Sequence, residues 1–262
     1  MKNSIKPYKL GIALSGGGAR GFAHIGVLRA LQEYGITPDI VSGVSAGSIV
    51  GVLYASGIAP DKIISLFDNK KFNDFCEPCV PHKGLFSLNK LGEFLKKHLV
   101  VDTFEQLATP LVICATNLDK SIPVAFESGD LVNSVIASCS IPIIFNPVNI
   151  NGTYCVDGGV LRNLPAWVLR EKCDIVIGVN CSPMMNENLH YSIIEIAQRS
   201  FEIMACGTAV KDIHLCDILI ETNDIANYKV FDIKKLHDIY KVGYLSAKEA
   251  IISNYDKLKE LI

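Results

Sequence analysis

The stretch Asp39-Ile-Val-Ser-Gly-Val-Ser-Ala-Gly-Ser-Ile-Val-Gly-Val-Leu-Tyr54 joins a short apolar segment to a helical segment through Gly43-Val-Ser-Ala-Gly47. This Gly-x-Ser-x-Gly pattern is typical of a nucleophile elbow, a tight strand-to-helix turn that needs small residues two positions to either side of the serine. The helix predicted from Ala46 to Ser56 begins directly after Ser45, so its N-terminal N–H groups point at an oxyanion formed there. The stretch therefore predicts that Ser45 is a nucleophile.

A glycine-rich loop, Ser15-Gly-Gly-Gly-Ala-Arg-Gly21, lies between a predicted strand (Tyr8–Leu14) and a predicted helix (Phe22–Tyr34). Two consecutive β-loop-α units of a parallel sheet bring their loops side by side at the carboxyl ends of the strands. We therefore expect the N–H groups of Gly17 and Gly18 to face the serine hydroxyl and to form an oxyanion hole.

Two other uses of the glycine loop agree less well with the sequence. A dinucleotide site with the pattern Gly16-x-Gly18-x-x-Gly21 needs an acidic residue at the end of the second strand, but Asp39 lies at its beginning. A P-loop needs Lys-Ser or Lys-Thr after the glycines, and neither follows. Arg20 is either a solvated residue at the start of the helix, a support for the loop, or a contact for an anionic head group.

Composition favours one α/β domain over residues 1–262. The chain is 49% hydrophobic and 20% charged, which is enough apolar material for a sizeable core. The net charge is −2 with both signs interspersed, so nucleic acid is not an expected partner. Composition indicates neither the oligomeric state nor the physiological role.

The nine cysteines are an odd number scattered through apolar runs, which indicates buried thiols in a reducing compartment. We expect a cytoplasmic protein, because the N-terminal apolar run Leu10–Leu14 is too short for a signal peptide. Lipid contact would be peripheral, at the inner face of the membrane, because no apolar run approaches the ~18–20 residues of a membrane span. Cys76-x-x-Cys79-x-x-His82 is at best half of a zinc site, so no metal and no cofactor are expected.

An aspartate follows a predicted β-hairpin over Val148–Val156, whose Asn151-Gly152 turn is the strongest hairpin signal in the chain. The hairpin leads into Asp157-Gly-Gly159, where the glycines allow other backbone to approach closely. The aspartate is either a functional residue at a strand end or a turn residue that hydrogen-bonds its own backbone.

Strands and helices alternate through the rest of the chain, which predicts a doubly wound or three-layer α/β sheet. The predicted helices are Pro60–Phe67, Leu88–Leu99, Gly129–Ser138, Pro165–Glu171, Tyr191–Val210 and His237–Ile252, and the predicted strands are Leu111–Thr116, Ile122–Phe126, Asp174–Val179 and Asp217–Glu221. The amphipathic Leu88–Leu99 helix is either a lid or membrane-surface helix, or an ordinary helix with one face in the core.

The three motifs, Gly16-Gly-Gly-Ala-Arg-Gly21, Gly43-Val-Ser-Ala-Gly47 and Asp157-Gly-Gly159, resemble in this order those of the patatin-like phospholipases, specifically the short bacterial members. Flanking sequence agrees at Gly26-Val-Leu28, Ala137-Ser-x-x-Ile-Pro142 and Asn163-x-Pro165. The resemblance covers about residues 10–179. Asp-Gly-Gly in place of Asp-Gly-Ala is a common variation in that family.

The resemblance implies a three-layer α/β/α sandwich with a mostly parallel central sheet and a metal-independent acyl hydrolase of lipids, of the lipase or phospholipase type. It implies a Ser-Asp dyad in which Ser45 is the nucleophile and Asp157 the base. The implied oxyanion hole is Gly16, Gly17 and Gly18. The implied supporting residues are Arg20, Gly21, Gly43, Gly47, Gly158 and Gly159.

Two alternatives remain open. An α/β-hydrolase with a Ser-Asp-His triad would have several strands before the nucleophile, whereas one strand precedes Ser45. Its histidine would follow Asp157, and the candidates His190, His214 and His237 lie at polar or helical positions, while packing is the expected role of His24. The other alternative is a regulatory or lipid-sensing binding module on the same fold.

Phospholipid, lysophospholipid, neutral ester and acyl thioester present the same carbonyl group, so the acyl substrate and its positional specificity stay open.

Overall fold

A buried strand, β1 (Tyr8–Leu14), lies inside an eight-stranded sheet in the computed structural model, which describes residues 6–183 and 192–261. The other strands are β2 (Ile40–Val44), β3 (Glu77–Pro78), β4 (Phe86–Ser87), β5 (Leu111–Asn117), β6 (Ile122–Phe126), β7 (Val148–Ile150), β8 (Thr153–Asp157), β9 (Cys173–Asn180) and β10 (Ile218–Glu221). The helices are α1 (Phe22–Glu33), α2 (Ala46–Ala55), α3 (Pro60–Leu66), α4 (Asn89–His98), α5 (Leu131–Cys139), α6 (Ile193–Ile213), α7 (Leu236–Ser253) and α8 (Tyr255–Leu258).

The central sheet is mostly parallel, in the order β10-β9-β1-β2-β5-β8-β7, with β6 paired to β5. Strands β10, β9, β1, β2 and β5 run parallel to one another, and the hairpin β7–β8 and strand β6 pair in antiparallel fashion. Strands β3 and β4 form a separate two-stranded ribbon. The predicted fold class is therefore confirmed.

Helices cover both faces of this sheet because side chains alternate along each buried strand. In β1, Leu10, Ile12 and Leu14 belong to the larger apolar cluster, which includes residues of α1, α2, α3 and α7. Ala13 faces the opposite cluster, which includes residues of α6 and of the 3₁₀ helix Pro165–Val168. The result is the expected three-layer α/β/α sandwich.

Two predicted helices differ from the observed elements. The segment predicted as a helix over Pro165–Glu171 is the 3₁₀ helix Pro165–Val168, with four residues between its end and the start of β9 at Cys173. The long helix predicted from Tyr191 to Val210 is α6, which extends to Ile213, and Tyr191 itself lies outside the described residues.

Helix α4 packs into the core. Leu91, Phe94 and Leu95 are buried, while Lys96 and Lys97 are exposed. Of the two readings of this amphipathic segment, the structure therefore supports the core-facing one.

Strand β5 places the ends of two other strands next to each other. Strand β6 pairs with the last five residues of β5, so β2 and β8 must both use the opposite edge. There Val44, the last residue of β2, is opposite Cys114, while Asp157, the last residue of β8, is opposite Ala115. The two strands therefore meet end to end, and the turn after β2 lies beside Asp157.

Candidate active site

Ser45 occupies a strained backbone conformation between β2 and α2, with φ 51° and ψ −123°. A non-glycine residue with positive φ persists only when its surroundings hold it there, and such residues are common at active sites. Close packing of the turn holds Ser45, because a Cβ at Gly43 would lie only 2.5 Å from the carbonyl oxygen of Gly47. The glycine positions on either side of Ser45 are thus required by contact between backbone segments.

Ser138, at the end of α5, also fixes the nucleophile turn. Its Oγ accepts a hydrogen bond from the N–H of Ser45 at 2.8 Å and donates one to the carbonyl oxygen of Cys114 at 2.7 Å. The side chain is fully buried. The sequence contained a signal for it, since Ser138 lies in the flanking segment Ala137-Ser-x-x-Ile-Pro142, but no role was predicted for the hydroxyl.

Asp157 is a fully buried carboxylate beside the nucleophile turn. Its backbone N–H donates to the carbonyl oxygen of Ser140 at 2.9 Å, and its Oδ1 accepts from the N–H of Gly159 at 2.8 Å. Its Oδ2 is buried and has no hydrogen-bond partner among the described residues. Both roles considered for this aspartate are therefore compatible with the structure. Its Oδ1 hydrogen-bonds the backbone of its own turn, and its Oδ2 remains available to accept a proton or a hydrogen bond.

Burial raises the pKa of the Asp157 carboxyl from 3.8 to about 7, and the Ser45 hydroxyl and the Gly159 N–H oppose this rise. The serine hydroxyl thus lies close enough to stabilise the carboxylate, although no hydrogen bond between the two side chains is formed. Catalytic hydrogen bonds are often long in unliganded structures and shorten when substrate is bound. Asp157 therefore has the properties of a general base at neutral pH.

The N–H groups of the glycine loop differ in their hydrogen bonding. The N–H of Gly16 donates to the carbonyl oxygen of Asn163 at 3.2 Å, so it is already engaged within the protein. In contrast, no described residue accepts a hydrogen bond from the N–H of Gly17 or of Gly18, and both glycines lie beside Ser45 in the same cleft. Gly18 has φ 57°, a conformation that favours glycine.

Arg20 supports the loop. Its side chain is 3% exposed, so it is not the solvated residue considered from the sequence, and its Nε donates to the carbonyl oxygen of Tyr228 at 2.8 Å. The remaining supporting glycines allow close packing, because a Cβ at Gly21, Gly158 or Gly159 would lie 2.5–2.8 Å from Ala46, Cys114 or Phe201, respectively.

Two pockets meet at Ser45. An apolar pocket of about 140 Å³ extends on one side, and its lining includes Phe22, Phe67, Phe72, Phe75, Leu88, Leu91, Phe145 and Phe231. A smaller polar cleft of about 30 Å³ extends on the other side, and its lining includes Gly17, Arg20, Asn163, Ser182, Arg199 and Glu202. Gly18, Ser45, Ile141 and Val230 line both. The serine therefore stands at the boundary between an apolar and a polar environment.

No described histidine hydrogen-bonds the Ser45 or Asp157 side chain. His24 is buried in the core, with Nε2 2.8 Å from the Ser15 carbonyl oxygen and Nδ1 3.6 Å from the Cys181 sulfur, and burial lowers its pKa to about 4. His214 is exposed after α6, and His237 pairs with Asp68 at the surface. His190 lies outside the described residues.

In the Cys76–His82 loop, which was considered as half of a zinc site, both thiols lie near backbone carbonyl oxygens. The Sγ of Cys76 lies 3.6 Å from the Phe72 carbonyl oxygen, and that of Cys79 lies 3.5 Å from the Gly84 carbonyl oxygen. Within residues 6–183 and 192–261, no group of three His, Cys, Asp or Glu side chains could hold a metal ion. All nine cysteines are free thiols.

The model of the patatin-like phospholipase family matches residues 12–170, so this chain belongs to that family. An uncharacterized NTE family protein of Mycobacterium tuberculosis is 30% identical over 175 residues, which cover 66% of this chain and 49% of that protein. Lysophospholipase NTE1 of Candida glabrata is 27% identical over 272 residues, which cover 89% of this chain and 15% of that protein. The chain thus spans about half the length of the mycobacterial relative.

Two solved structures share the fold. VipD from Legionella pneumophila has a TM-score of 0.55 and 17% identity, with 95% of this chain and 68% of that chain covered. Human GIVD cytosolic phospholipase A2, in complex with methyl gamma-linolenyl fluorophosphonate, has a TM-score of 0.52 and 12% identity, with 100% of this chain and 61% of that chain covered.

Replacing Ser138 tests whether its hydroxyl positions the nucleophile. Ser138→Ala leaves two buried backbone groups unpaired, so we expect a loss of about 1–3 kcal/mol of stability and a fall in kcat. Ser140→Ala is the matched control, because the Ser140 hydroxyl bonds only the Ile136 carbonyl oxygen in its own helix. Thermal unfolding and ester turnover measure both effects. An unchanged kcat in Ser138→Ala would contradict the positioning role.

Proposed function

We propose that this protein is a serine acyl hydrolase that cleaves lipid acyl esters through a Ser45–Asp157 dyad. The observation that carries the proposal is the meeting of β2 and β8 on one edge of β5, which sets the nucleophile turn beside a buried carboxylate. Family membership supports ester hydrolysis as the reaction class. No metal, cofactor or histidine is needed in this mechanism.

In the proposed mechanism, the Asp157 carboxylate takes the proton of Ser45 as the hydroxyl oxygen attacks the ester carbonyl carbon. A base with a pKa of about 7 accepts this proton far better than an ordinary carboxylate would. The N–H groups of Gly17 and Gly18 stabilise the oxyanion, helped by the N-terminus of α2. We leave Gly16 out of the oxyanion hole because its N–H is engaged with Asn163.

The two pockets suggest how a substrate lies in the site. We assign the acyl chain to the apolar pocket, whose aromatic and leucine side chains match a hydrocarbon. The alcohol part of the ester then lies in the polar cleft, which Arg20 and Arg199 also line. Because a curated relative is a lysophospholipase, a phospholipid with one acyl chain is our first candidate substrate.

Substitution of the dyad tests the proposal against both alternatives. Ser45→Ala and Asp157→Asn should each lower kcat by roughly 10³-fold or more, because nucleophile and base act as one unit. Replacement of His24, His190, His214 or His237 one at a time should leave most of the turnover of a short-chain ester, provided circular dichroism shows a folded variant. Loss of activity with any one histidine would favour a triad. Absence of ester turnover and of fluorophosphonate labelling in the parent would favour a binding module.

The raised pKa of Asp157 predicts two pH dependences. First, kcat/KM should fall as the pH decreases through about 7, because protonated Asp157 cannot accept the serine proton. This midpoint should persist when His24 is replaced, because His24 has a pKa of about 4 and does not titrate there. A midpoint near 4 would show that Asp157 behaves as an ordinary carboxylate in the working enzyme.

Second, the raised pKa of Asp157 makes the free energy of unfolding depend on pH. The folded protein keeps the Asp157 proton up to about pH 7, whereas the unfolded chain releases it near 3.8. The contribution of this group to the free energy of unfolding is therefore full below pH 3.8 and is lost as the pH rises to about 7. Asp157→Asn should accordingly raise the melting temperature above pH 7 and have little effect below 3.8. An equal effect at both pH values would contradict the shift.

We also propose that the protein contacts the membrane surface peripherally in the cytoplasm. Within the described residues, no helix is long and apolar enough to cross a membrane. Exposed apolar side chains nevertheless cluster around an open cavity beside the active site, and we name the set Ile143, Ile193, Ile196 and Met204 the isoleucine patch. Phe201 lines both this cavity and the polar cleft, so the patch adjoins the site where a lipid must enter.

The conformation and exposure of Ile143 support a role of the isoleucine patch in membrane contact. It has φ 71°, which is unfavourable for a β-branched residue, yet its side chain is 58% exposed and so gains little from burial in the protein. On its other side, Ile143 shares a shallow cavity with His82 and Lys83, and no acidic side chain of residues 6–183 or 192–261 lines either cavity. An aliphatic surface with neighbouring basic groups suits a bilayer that contains anionic lipid.

The double substitution Ile143→Asn with Ile196→Gln tests membrane contact. It should weaken binding to vesicles of phosphatidylcholine and phosphatidylglycerol by roughly tenfold or more, because two aliphatic side chains no longer enter the lipid. Turnover of a water-soluble ester should stay the same, and Asn at a positive φ should not lower the melting temperature. Ile252→Gln, on the exposed face of α7, is the control. Unchanged vesicle binding, or a change of oligomeric state instead, would contradict the proposal.

A further inference from the structure

The side-chain amide nitrogen of Asn163 is a buried donor with no hydrogen-bond partner among the described residues. The residue is 1% exposed, and its amide nitrogen forms no hydrogen bond with any described residue. An unpaired buried donor destabilises the folded protein, and nearly all buried polar groups in native proteins are paired. Such a group beside a reactive serine points to a ligand that is its natural partner.

The backbone of Asn163 is held by its neighbours, and its side-chain oxygen packs against the glycine loop, because a Cβ at Gly16 would meet Oδ1. Its carbonyl oxygen accepts from the N–H of Gly16, and the chain continues into the buried 3₁₀ helix at Pro165. Its Oδ1 packs against Gly159, where a Cβ would lie 3.1 Å away. The last torsion of an asparagine side chain is broad and roughly two-fold, so rotation can present the amide nitrogen where the oxygen now lies. The residue thus lies between the glycine loop and the Asp157 turn.

The pocket lining indicates which part of a substrate the amide would meet. Asn163 lines the polar cleft together with Ser45, and it does not line the apolar pocket. The acyl chain therefore does not reach it. The group bonded to the other side of the carbonyl carbon, which is the alcohol oxygen of the ester, is the one that enters this cleft.

We propose that Asn163 is a further catalytic residue, whose side-chain amide donates a hydrogen bond to the leaving-group oxygen of an alkyl ester. This inference rests on the proposed acyl hydrolysis. As the bond from the carbonyl carbon to the alcohol oxygen breaks, its electron pair goes to that oxygen. The oxygen then takes the proton that Asp157 accepted from Ser45. Asn163 keeps its protons and stabilises the charge that develops on the oxygen before the proton arrives.

Esters with different leaving groups test whether Asn163 stabilises the leaving-group oxygen or has only a structural role. An alkoxide is strongly basic and needs stabilisation, whereas p-nitrophenolate leaves without it. In Asn163→Leu, which keeps the branched shape of the side chain but has no donor, kcat/KM for a monoacylglycerol should fall by about 10²-fold. The value for the p-nitrophenyl ester of the same acid should change only a few-fold. The melting temperature should be unchanged or higher, because an unpaired buried amide has been removed.

The matched control is Thr116→Val on β5, since the Oγ1 of Thr116 is likewise buried with no hydrogen-bond partner in the described part of the chain, and Thr116 is not among the described lining residues of either pocket. It should leave the ratio of the two kcat/KM values unchanged. If kcat/KM of Asn163→Leu fell equally for both esters, with or without a lower melting temperature, the assignment would be overturned. An unchanged kcat/KM for both esters would overturn it as well. Failure of the proposed hydrolysis would instead appear in the parent protein, as absence of p-nitrophenyl ester turnover and of Ser45 labelling.

Discussion

The two candidate catalytic residues depend on the sharing of one edge of β5 by two strands. Strand β2 pairs with the first part of that edge and β8 with the last part, so the two end at neighbouring register positions. Backbone hydrogen bonds therefore set the separation of Ser45 and Asp157. Because side chains alternate along a strand, a slip of one residue in β8 would turn Asp157 to the other face. The pairing register thus matters as much as the residue types.

Burial of Asp157 makes its carboxylate a stronger base, and the buried site is also unfavourable for the stability of the fold. The carboxylate of Asp157 is removed from water, which raises its pKa into the range useful for a base at neutral pH. Ser45 is held in a strained conformation by packing of the glycines on either side and by the Ser138 hydroxyl. Helix α6 secures the turn after Asp157, because the Thr208 hydroxyl donates to the carbonyl oxygen of Gly159 at 2.9 Å. The surrounding fold therefore stabilises a site that is locally unfavourable.

In the proposed function, the two pockets hold the two parts of the substrate on either side of its ester bond. Aromatic side chains from α1, from the segment between α3 and β3, from the segment after α5 and from the segment before α7 form the apolar side. Leu88 and Leu91, at the start of α4, complete it. The polar side includes residues that follow β9 and a turn of α6. Elements distant in sequence thus supply the two halves. The core-facing role of α4 belongs to the same arrangement, because its buried face also forms a wall of the apolar pocket.

The sequence by itself determined the motifs, most of the strand and helix order, the fold class and the tight strand-to-helix turn at Ser45, because these depend on local spacing and on the alternation of apolar residues. It also indicated Asp157 through the resemblance. The tertiary structure decided which backbone N–H groups are available, since the engagement of Gly16 depends on a carbonyl group 147 residues away in the chain. It also decided the burial that shifts the pKa of Asp157, the hydroxyl of Ser138 on the nucleophile turn, and the unpaired amide of Asn163. Each of these is a contact between segments far apart in sequence, and local pattern does not encode such contacts.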